Sequence, residues 1–360
     1  MRVGVLTTSY PRDDADYAGW FVADRVRALA AAGHDVEVIA GGAISGTTRE
    51  GRVSVTRLPA TFAGSTDLFA SSGAPELLER GGLPALWAAA RFTTALSAEV
   101  RARRWDRVES HWLVPCGLAA VATAPSVPHR ATAHSGDVAL LERWPFGAAL
   151  ARLLAASGAE LVFVSENLRR RFAALAGGVH GVVAPAVGVA PAARGPALDR
   201  ARLGISGPTV IAVGRLVPIK GFDLLVRACA RRAGEAGPLS LVLVGDGPER
   251  ERLRRLAGGL GVPLTLAGTV PRSEVPSWLA LGDIYAQPSR VLPNGRAEGM
   301  PLSTLEALAG GLPAVVSDSG GLAELGGREG VQVVPAGDAH ALAAALRVGL
   351  SPREVSVNVA

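Results

Sequence analysis

Short apolar runs alternate with helix-length segments along almost the whole chain, and no other feature constrains the fold as much. Val3–Thr8 reads as a strand, Phe21–Ala32 as a helix ending at Gly33, and Val36–Ala40 as the next strand. A strand that returns through a helix to a neighbouring strand runs parallel to it, with a right-handed crossover. The pattern continues through Val53–Leu58, a helix near Pro84–Arg104, then Arg107–Ser110, Gly117–Ala124, Arg130–Ala133, Phe146–Ala156, Leu161–Val164, Asn167–Leu175 and Val182–Ala184. Ala60–Gly82, rich in Gly, Ser and Thr, interrupts it and reads as a long functional loop or an irregular insertion.

Around Pro185–Pro208 the pattern lapses into Ala, Pro and Gly, then restarts. Strands are expected at Thr209–Val213, Leu239–Val244, Leu264–Ala267, Ile284–Ala286, Ala314–Ser317 and Val331–Val334. Helices near Gly221–Ala233, Glu249–Leu260, Val275–Leu281, Pro301–Ala309 and Ala339–Val348 connect them. The expected fold is α/β, two doubly wound Rossmann-like domains facing across a cleft. The first spans residues 1–190. A linker follows over 191–207, a second domain over 208–345, and a short C-terminal tail over 346–360. Ligands of such domains lie at strand carboxyl ends.

The formal net charge of +5 raises the question of nucleic acid. Of the 37 basic residues, 36 are Arg and one, Lys220, is Lys. The arginines are spread among Asp and Glu, with no zinc-finger spacing, aromatic ribonucleoprotein motif or basic arm, so no nucleic-acid partner is expected. Two cysteines, Cys116 and Cys229, neither staple a fold of this size nor build a zinc site. The opening MRVGVLTTSYP lacks the features of a signal peptide, and no run of about 18 apolar residues is present. A soluble, cytoplasmic protein is expected.

Three constellations fall at strand ends. In Glu298-Gly-Met-Pro-Leu-Ser-Thr-Leu-Glu306, Pro301 suits the first turn of a helix. The amides of Gly299, Met300, Leu302 and Ser303 would then favour an anion at the helix start. The flanking carboxylates suit the hydroxyls of a nucleotide diphosphate sugar. The plainer reading is an ordinary first-turn acid and a surface Glu. In Gly214-Arg215-Leu-Val-Pro-Ile-Lys220-Gly221, the two cations can neutralise a diphosphate without metal, or they are simply solvated. In a chain that otherwise uses Arg for charge, the lone Lys220 favours the first alternative. His134-Ser-Gly-Asp137 can approach a sugar closely, or be a loop in which His134 bonds Asp137. Gly19 offers another helix start. Gly245-Asp-Gly-Pro248 lacks the third glycine of a dinucleotide fingerprint and reads as a tight turn.

On Glu298–Glu306 the chain resembles the E-x7-E motif of GT-B-fold retaining glycosyltransferases, family 4 in particular. Gly214–Gly221, Gly245–Pro248, Ala286-Gln-Pro-Ser289, Gly310–Val316, His134–Asp137 and Tyr10-Pro11 with Gly19-Trp-Phe21 resemble it as well, in the family's order. The resemblance implies transfer of a hexosyl group from a nucleotide diphosphate sugar, UDP- or GDP-linked, to an acceptor hydroxyl, with retention and without metal or other cofactor. It places Arg215, Lys220 and Gly19 at the donor diphosphate, Glu306 on ribose, Glu298 on the hexose and His134 near it. His134 and Glu298 are the expected catalytic residues.

Ser135 stands where family members often have a second glycine, and Ala190 where an acidic residue is common. After Gly337-Asp338 the family usually continues with further helices, whereas one helix and the tail Ser351–Ala360 follow here. Acceptor-side candidates are Trp112, Asp137 and Trp144, within walls formed by Ser9–Trp20, Ala60–Gly82, Trp112–Cys116 and Asp137–Phe146. Arg101, Arg103, Arg104 and Arg107 around Trp105, with Arg169–Arg171 and Phe172, are either solvated faces or a peripheral contact with the inner face of a membrane. A nucleotide-sugar epimerase and a non-catalytic nucleotide-sugar-binding subunit are the alternative functions.

Overall fold

The computed structural model describes residues 1–13, 16, 18–62, 66–67, 74–185 and 198–350. The first half runs β1 (Arg2–Thr7), α1 (Trp20–Ala31), β2 (Asp35–Gly42), β3 (Gly46–Glu50), β4 (Val53–Pro59), β5 (Thr61–Phe62), β6 (Thr66–Asp67) and α2 (Ala74–Ala102). It continues through β7 (Arg107–His111), α3 (Leu118–Thr123), β8 (His129–Ala133), α4 (Gly136–Arg143), α5 (Gly147–Ala156), β9 (Glu160–Phe163), α6 (Glu166–Ala176) and β10 (Gly181–Val183). Eight strands form one sheet in the order β10-β9-β8-β7-β1-β2-β4-β3, parallel except for β3, which pairs antiparallel with β4.

The central strands β1 and β2 are mostly apolar because helices cover both faces there. Val22, Val26 and Leu29 on one side of α1 pack with Val3, Val5, Val36 and Val38, while Phe92, Leu96 and Val100 of α2 pack with Leu6, Ile39 and Val108 opposite. Each of these large side chains contributes about 1.5–3 kcal/mol by leaving water.

The second half contains β11 (Thr209–Val213), α7 (Phe222–Ala236), β12 (Ser240–Val244), α8 (Arg250–Leu260), β13 (Leu264–Gly268), α9 (Val275–Leu279) and β14 (Ile284–Gln287). It ends with α10 (Leu302–Ala309), β15 (Ala314–Ser317), β16 (Val331–Val334) and α11 (Ala339–Gly349). Its six-stranded sheet is parallel throughout, in the order β13-β12-β11-β14-β15-β16. The chain divides into two units, residues 1–188 and 189–360. In each sheet the strand order reverses once beside the first strand, at β1/β7 and at β11/β14. At such a reversal the loops diverge and leave room for a ligand.

Several expectations are corrected. The stretch read as a loop over Ala60–Gly82 contains the β5–β6 pair and the start of α2, which begins well before Pro84 and kinks at Gly82 (φ 54, ψ −143). The remainder of that stretch, residues 191–197 of the expected linker and the tail Ser351–Ala360 lie outside the described residues. β3 is a strand in the stretch between Val36–Ala40 and Val53–Leu58, for which the sequence suggested no element. Of the candidate wall Asp137–Phe146, the part through Arg143 belongs to the helix α4. Pro301 is the residue capping α10 rather than a member of its first turn, with an extended ψ of 118.

The arginines weighed as solvated faces or a membrane contact surround two residues that do not reach the surface. Trp105 and Phe172 are core residues, 8% and 0% exposed. Arg103, Arg107, Arg169, Arg170 and Arg171 are engaged by Glu37 and Glu99, by Glu109 and Glu160, by Glu166 and by Glu142. No described helix is long and apolar enough to cross a membrane.

Candidate functional site

The sequence-selected residues form one group in each unit. In the second unit they collect where the order reverses between β11 and β14. After β11 the chain turns at Gly214, and Leu216 N donates to Asp246 O, tying this loop to the turn after β12. A single 3-10 turn, Pro218–Lys220, then presents Lys220. A Cβ at Gly214 would lie 3.1 Å from Lys220 Cε, so the absence of a side chain there leaves room for the lysine stem.

Glu298 stands in the loop between β14 and α10. Its carboxylate accepts from Lys220 Nζ at 3.2 Å, and both side chains are largely buried. Gly321 N donates to the Glu298 carbonyl at 3.2 Å. Gly320 has φ 59, and a Cβ on it would be 2.1 Å from that same oxygen. Only glycine permits this approach, which pins Glu298 from the loop after β15.

Below these residues lies a buried polar network. Tyr285 OH donates to Ser303 Oγ at 2.8 Å, and Ser303 Oγ to the Val213 carbonyl at 2.9 Å. Gln287 Nε2 donates to Ser289 Oγ at 2.9 Å, and Ser317 Oγ to the Ser289 carbonyl. The ends of β11, β14 and β15 and the start of α10 are thereby fixed to one another, and satisfied buried networks of this kind are rigid.

Leu302 opens α10, and the first amides of a helix have no acceptor within it. Gly299 is buried, and Met300 packs partly into the core under the sheet. Glu306 is 6% exposed and its carboxylate is held by Arg272, a contact between α10 and the turn before α9 that the sequence does not signal. Arg215 follows Gly214 on the loop that carries Lys220.

In the first unit the residues gather at the ends of β1, β7 and β8. Gly19 caps α1 with φ 74, and a Cβ there would stand 2.0 Å from the Ser9 carbonyl, so the loop after β1 closes against the helix start. The next residue but one, Phe21, lies 4.6 Å from the His134 ring, and Trp112 lies 4.8 Å from it on another side. His111, at the end of β7, stacks on His134 at 5.3 Å with 25° between planes. Burial pushes His111 down to about 4, and burial with His111 alongside holds His134 well below the usual histidine value. Both rings are therefore neutral at physiological pH.

Beneath them Glu109 takes both arms of Arg25, at 2.8 and 2.7 Å. Burial works to raise this carboxyl, but the Arg25 fork more than offsets it and keeps Glu109 below its usual value. Trp112 and Ser135 both have positive φ, 76 and 96, the only such non-glycine residues among those described. Two strained residues flanking one cluster are a mark of functional geometry.

Asp137 is corrected from wall to brace. It is 3% exposed, and it accepts from the amides of Leu113 at 2.8 Å, His134 at 3.1 Å and Val138 at 3.0 Å. It holds the loops after β7 and β8 together, and the bond to His134 is to the backbone. Trp144 caps the far end of α4 and is 42% exposed, eight helical residues away from His134. Sequence reasoning missed His111 as a partner of His134, and Phe21 as its cover. Among the described residues no three His, Cys, Asp or Glu side chains assemble as a metal site requires.

Comparison with known proteins divides the chain as the strands do. Residues 18–185 match the family described as "Glycosyltransferase Family 4", and residues 207–351 that described as "Glycosyl transferases group 1". A GDP-mannose-dependent alpha-(1-6)-phosphatidylinositol monomannoside mannosyltransferase of Mycobacterium tuberculosis is 39% identical over 174 residues, 46% of this chain and 45% of that protein. The match thus spans about half the relative's length. The putative teichuronic acid biosynthesis glycosyltransferase TuaC of Bacillus subtilis is 29% identical over 249 residues, 67% of this chain and 60% of that protein. Among solved structures, sucrose-phosphate synthase from Thermosynechococcus elongatus superposes with a TM-score of 0.75 at 20% identity, covering 97% of this chain and 89% of that one. An alpha,alpha-trehalose-phosphate synthase (UDP-forming) from Burkholderia vietnamiensis gives 0.74 at 19%, covering 98% and 90%. At those identities the likeness establishes the fold, two parallel-sheet α/β domains of GT-B type.

Proposed function

We propose that this chain, which belongs to the glycosyltransferases through a Family 4 domain in its first half and a group 1 domain in its second, transfers a hexosyl group from a nucleotide diphosphate sugar to an acceptor hydroxyl with retention. The observation that carries the reading is the meeting of Lys220 and Glu298 at the β11/β14 reversal, beside the start of α10. A cation and a helix N-terminus suit a diphosphate, and a carboxylate suits hydroxyls.

In the reaction the bond between the sugar's anomeric carbon and the phosphate oxygen breaks, and its electron pair stays on the diphosphate. The acceptor oxygen bonds the same carbon on the same face, and its proton passes to the departing diphosphate. Arg215 and Lys220 neutralise that charge, with Gly19 and the amides of Gly299, Met300 and Leu302 as further donors. Glu306 holds ribose in an orientation set by Arg272. Glu298 holds the hexose, and His134 binds it as well. Such preorganised charge is the main source of rate acceleration where no covalent intermediate forms. No metal step is included in this reading.

The GDP-mannose dependence named for the mycobacterial relatives makes GDP-mannose the first donor to test, ahead of UDP-sugars. Calorimetry with each donor, in wild type and Lys220→Ala, checks the site. The anomeric configuration of the product by NMR checks retention, and activity after chelation checks metal independence. Donor binding unchanged by Lys220→Ala, or an inverted product, contradicts the proposal.

A further inference from the structure

His111 Nδ1 and His134 Nε2 are 3.1 Å apart, a hydrogen bond between two neutral rings. Each neutral imidazole carries one hydrogen, so the contact has two possible forms. In one, His134 donates from Nε2, and His111 must then carry its own hydrogen on Nε2. In the other, His111 donates from Nδ1, and its Nε2 is a bare acceptor. His111 Nε2 is buried and has no hydrogen-bond partner among the described residues. Burying an N–H without an acceptor costs about 1–3 kcal/mol, and buried orphan donors are rarer than buried orphan acceptors. The second form is the better one.

We infer that His111 assigns the proton of His134. It donates from Nδ1 to His134 Nε2, so that His134 carries its hydrogen on Nδ1 and meets its ligand as a hydrogen-bond donor. This rests on the reading of His134 as a sugar-contacting residue. His134 Nδ1 has no partner among the described residues and is the edge left for a ligand oxygen. The ring is held against turning by Phe21 and Trp112 at 4.6 and 4.8 Å. In this state His134 cannot accept a proton at Nε2, whose lone pair is occupied, and has none to accept with at Nδ1. Its part in transfer is to bind a sugar oxygen, and His111 is a positioning residue.

The test is nitrogen–proton correlation NMR of the imidazoles in the full-length chain without substrate. The hydrogen of His134 is expected on Nδ1 in wild type. A hydrogen on Nε2, or an even mixture, overturns the inference. In His111→Phe the preference for Nδ1 should vanish, and kcat should fall about tenfold, the worth of one oriented hydrogen bond, with the donor KM nearly unchanged. His111→Asn, whose side-chain amide can donate from near the same place, should restore both. An unaltered kcat in a folded His111→Phe also overturns it. If that variant fails to fold, the wild-type spectrum still decides. Should the spectrum be as expected while the wild type transfers no sugar, the glycosyltransferase reading fails and the histidine assignment stands.

Discussion

Lys220, the only lysine in the chain, places its ammonium 3.2 Å from a carboxylate oxygen of Glu298, 78 positions further on. In the absence of donor each neutralises the other, so neither buried charge is left alone. On the proposed function, a diphosphate arriving at Lys220 would release Glu298 toward hydroxyls, coupling grip on the phosphate to grip on the sugar.

Arginine should not replace this lysine. The Lys220 stem runs past the bare Cα of Gly214, and its side chain is only 13% exposed. A planar guanidinium is wider than an ammonium and needs a different approach. Lys220→Arg is expected to weaken donor binding about tenfold or more despite keeping the charge. Calorimetry gives the answer, and wild-type affinity in this variant would mean that charge alone matters.

Gly320→Ala should act on Glu298 without touching a charge. The new methyl would lie 2.1 Å from the Glu298 carbonyl, so that loop must shift. Displacements of about 1 Å at a reacting centre cost on the order of a hundredfold in rate. Steady-state kinetics should show that loss, and a wild-type rate would show that the contact does not position Glu298.

Ser135 is a place to gain stability. Its φ of 96 is outside the range side chains prefer, and relief of such strain is worth about 1–3 kcal/mol, less the entropy glycine adds to the unfolded chain. Ser135→Gly should raise the urea midpoint by the equivalent of about 1 kcal/mol. A lower midpoint would mean that the Ser135 hydroxyl contributes more than the strain costs.

Acid should destabilise the fold through histidine. Burial holds His111 and His129 at about 4, against 6.5 for an exposed ring. Their contribution is complete above 6.5, where folded and unfolded chains are both neutral, and is lost as the pH falls toward 4, because the unfolded rings take protons first. The loss is on the order of 3 kcal/mol per ring over that span. Urea midpoints between pH 7 and 4.5 should fall steeply, and less steeply in His129→Gln. An equal slope in that variant would remove His129 from the account.

The parallel sheets were legible because buried strands such as Val210–Ala212 and Leu241–Val244 are continuous apolar runs. Lys220 stood out by composition alone. The meeting of His111 with His134 was not legible, since it depends on β7 and β8 ending level, with His111 opposite Thr132. The Arg272–Glu306 contact has no sequence signal either. α4 was missed because the loop motif His134–Asp137 runs straight into it. β3 had a signal that went unused: Gly51-Arg52 between Thr47-Thr48 and Val53–Val55 is a hairpin turn between β-branched runs.

That hairpin bears on how the protein behaves at high concentration. Without β3, the first sheet would end at β4, whose open backbone ladder could recruit the same strand of another copy. β3 closes that ladder with Gly-Thr-Thr-Arg-Glu, five residues all facing water and ending in two opposite charges. A short, charged, antiparallel margin is a poor template for further strands. The sheet therefore has a built-in stop, and crowded copies of the chain can collide along this margin without knitting into aggregates.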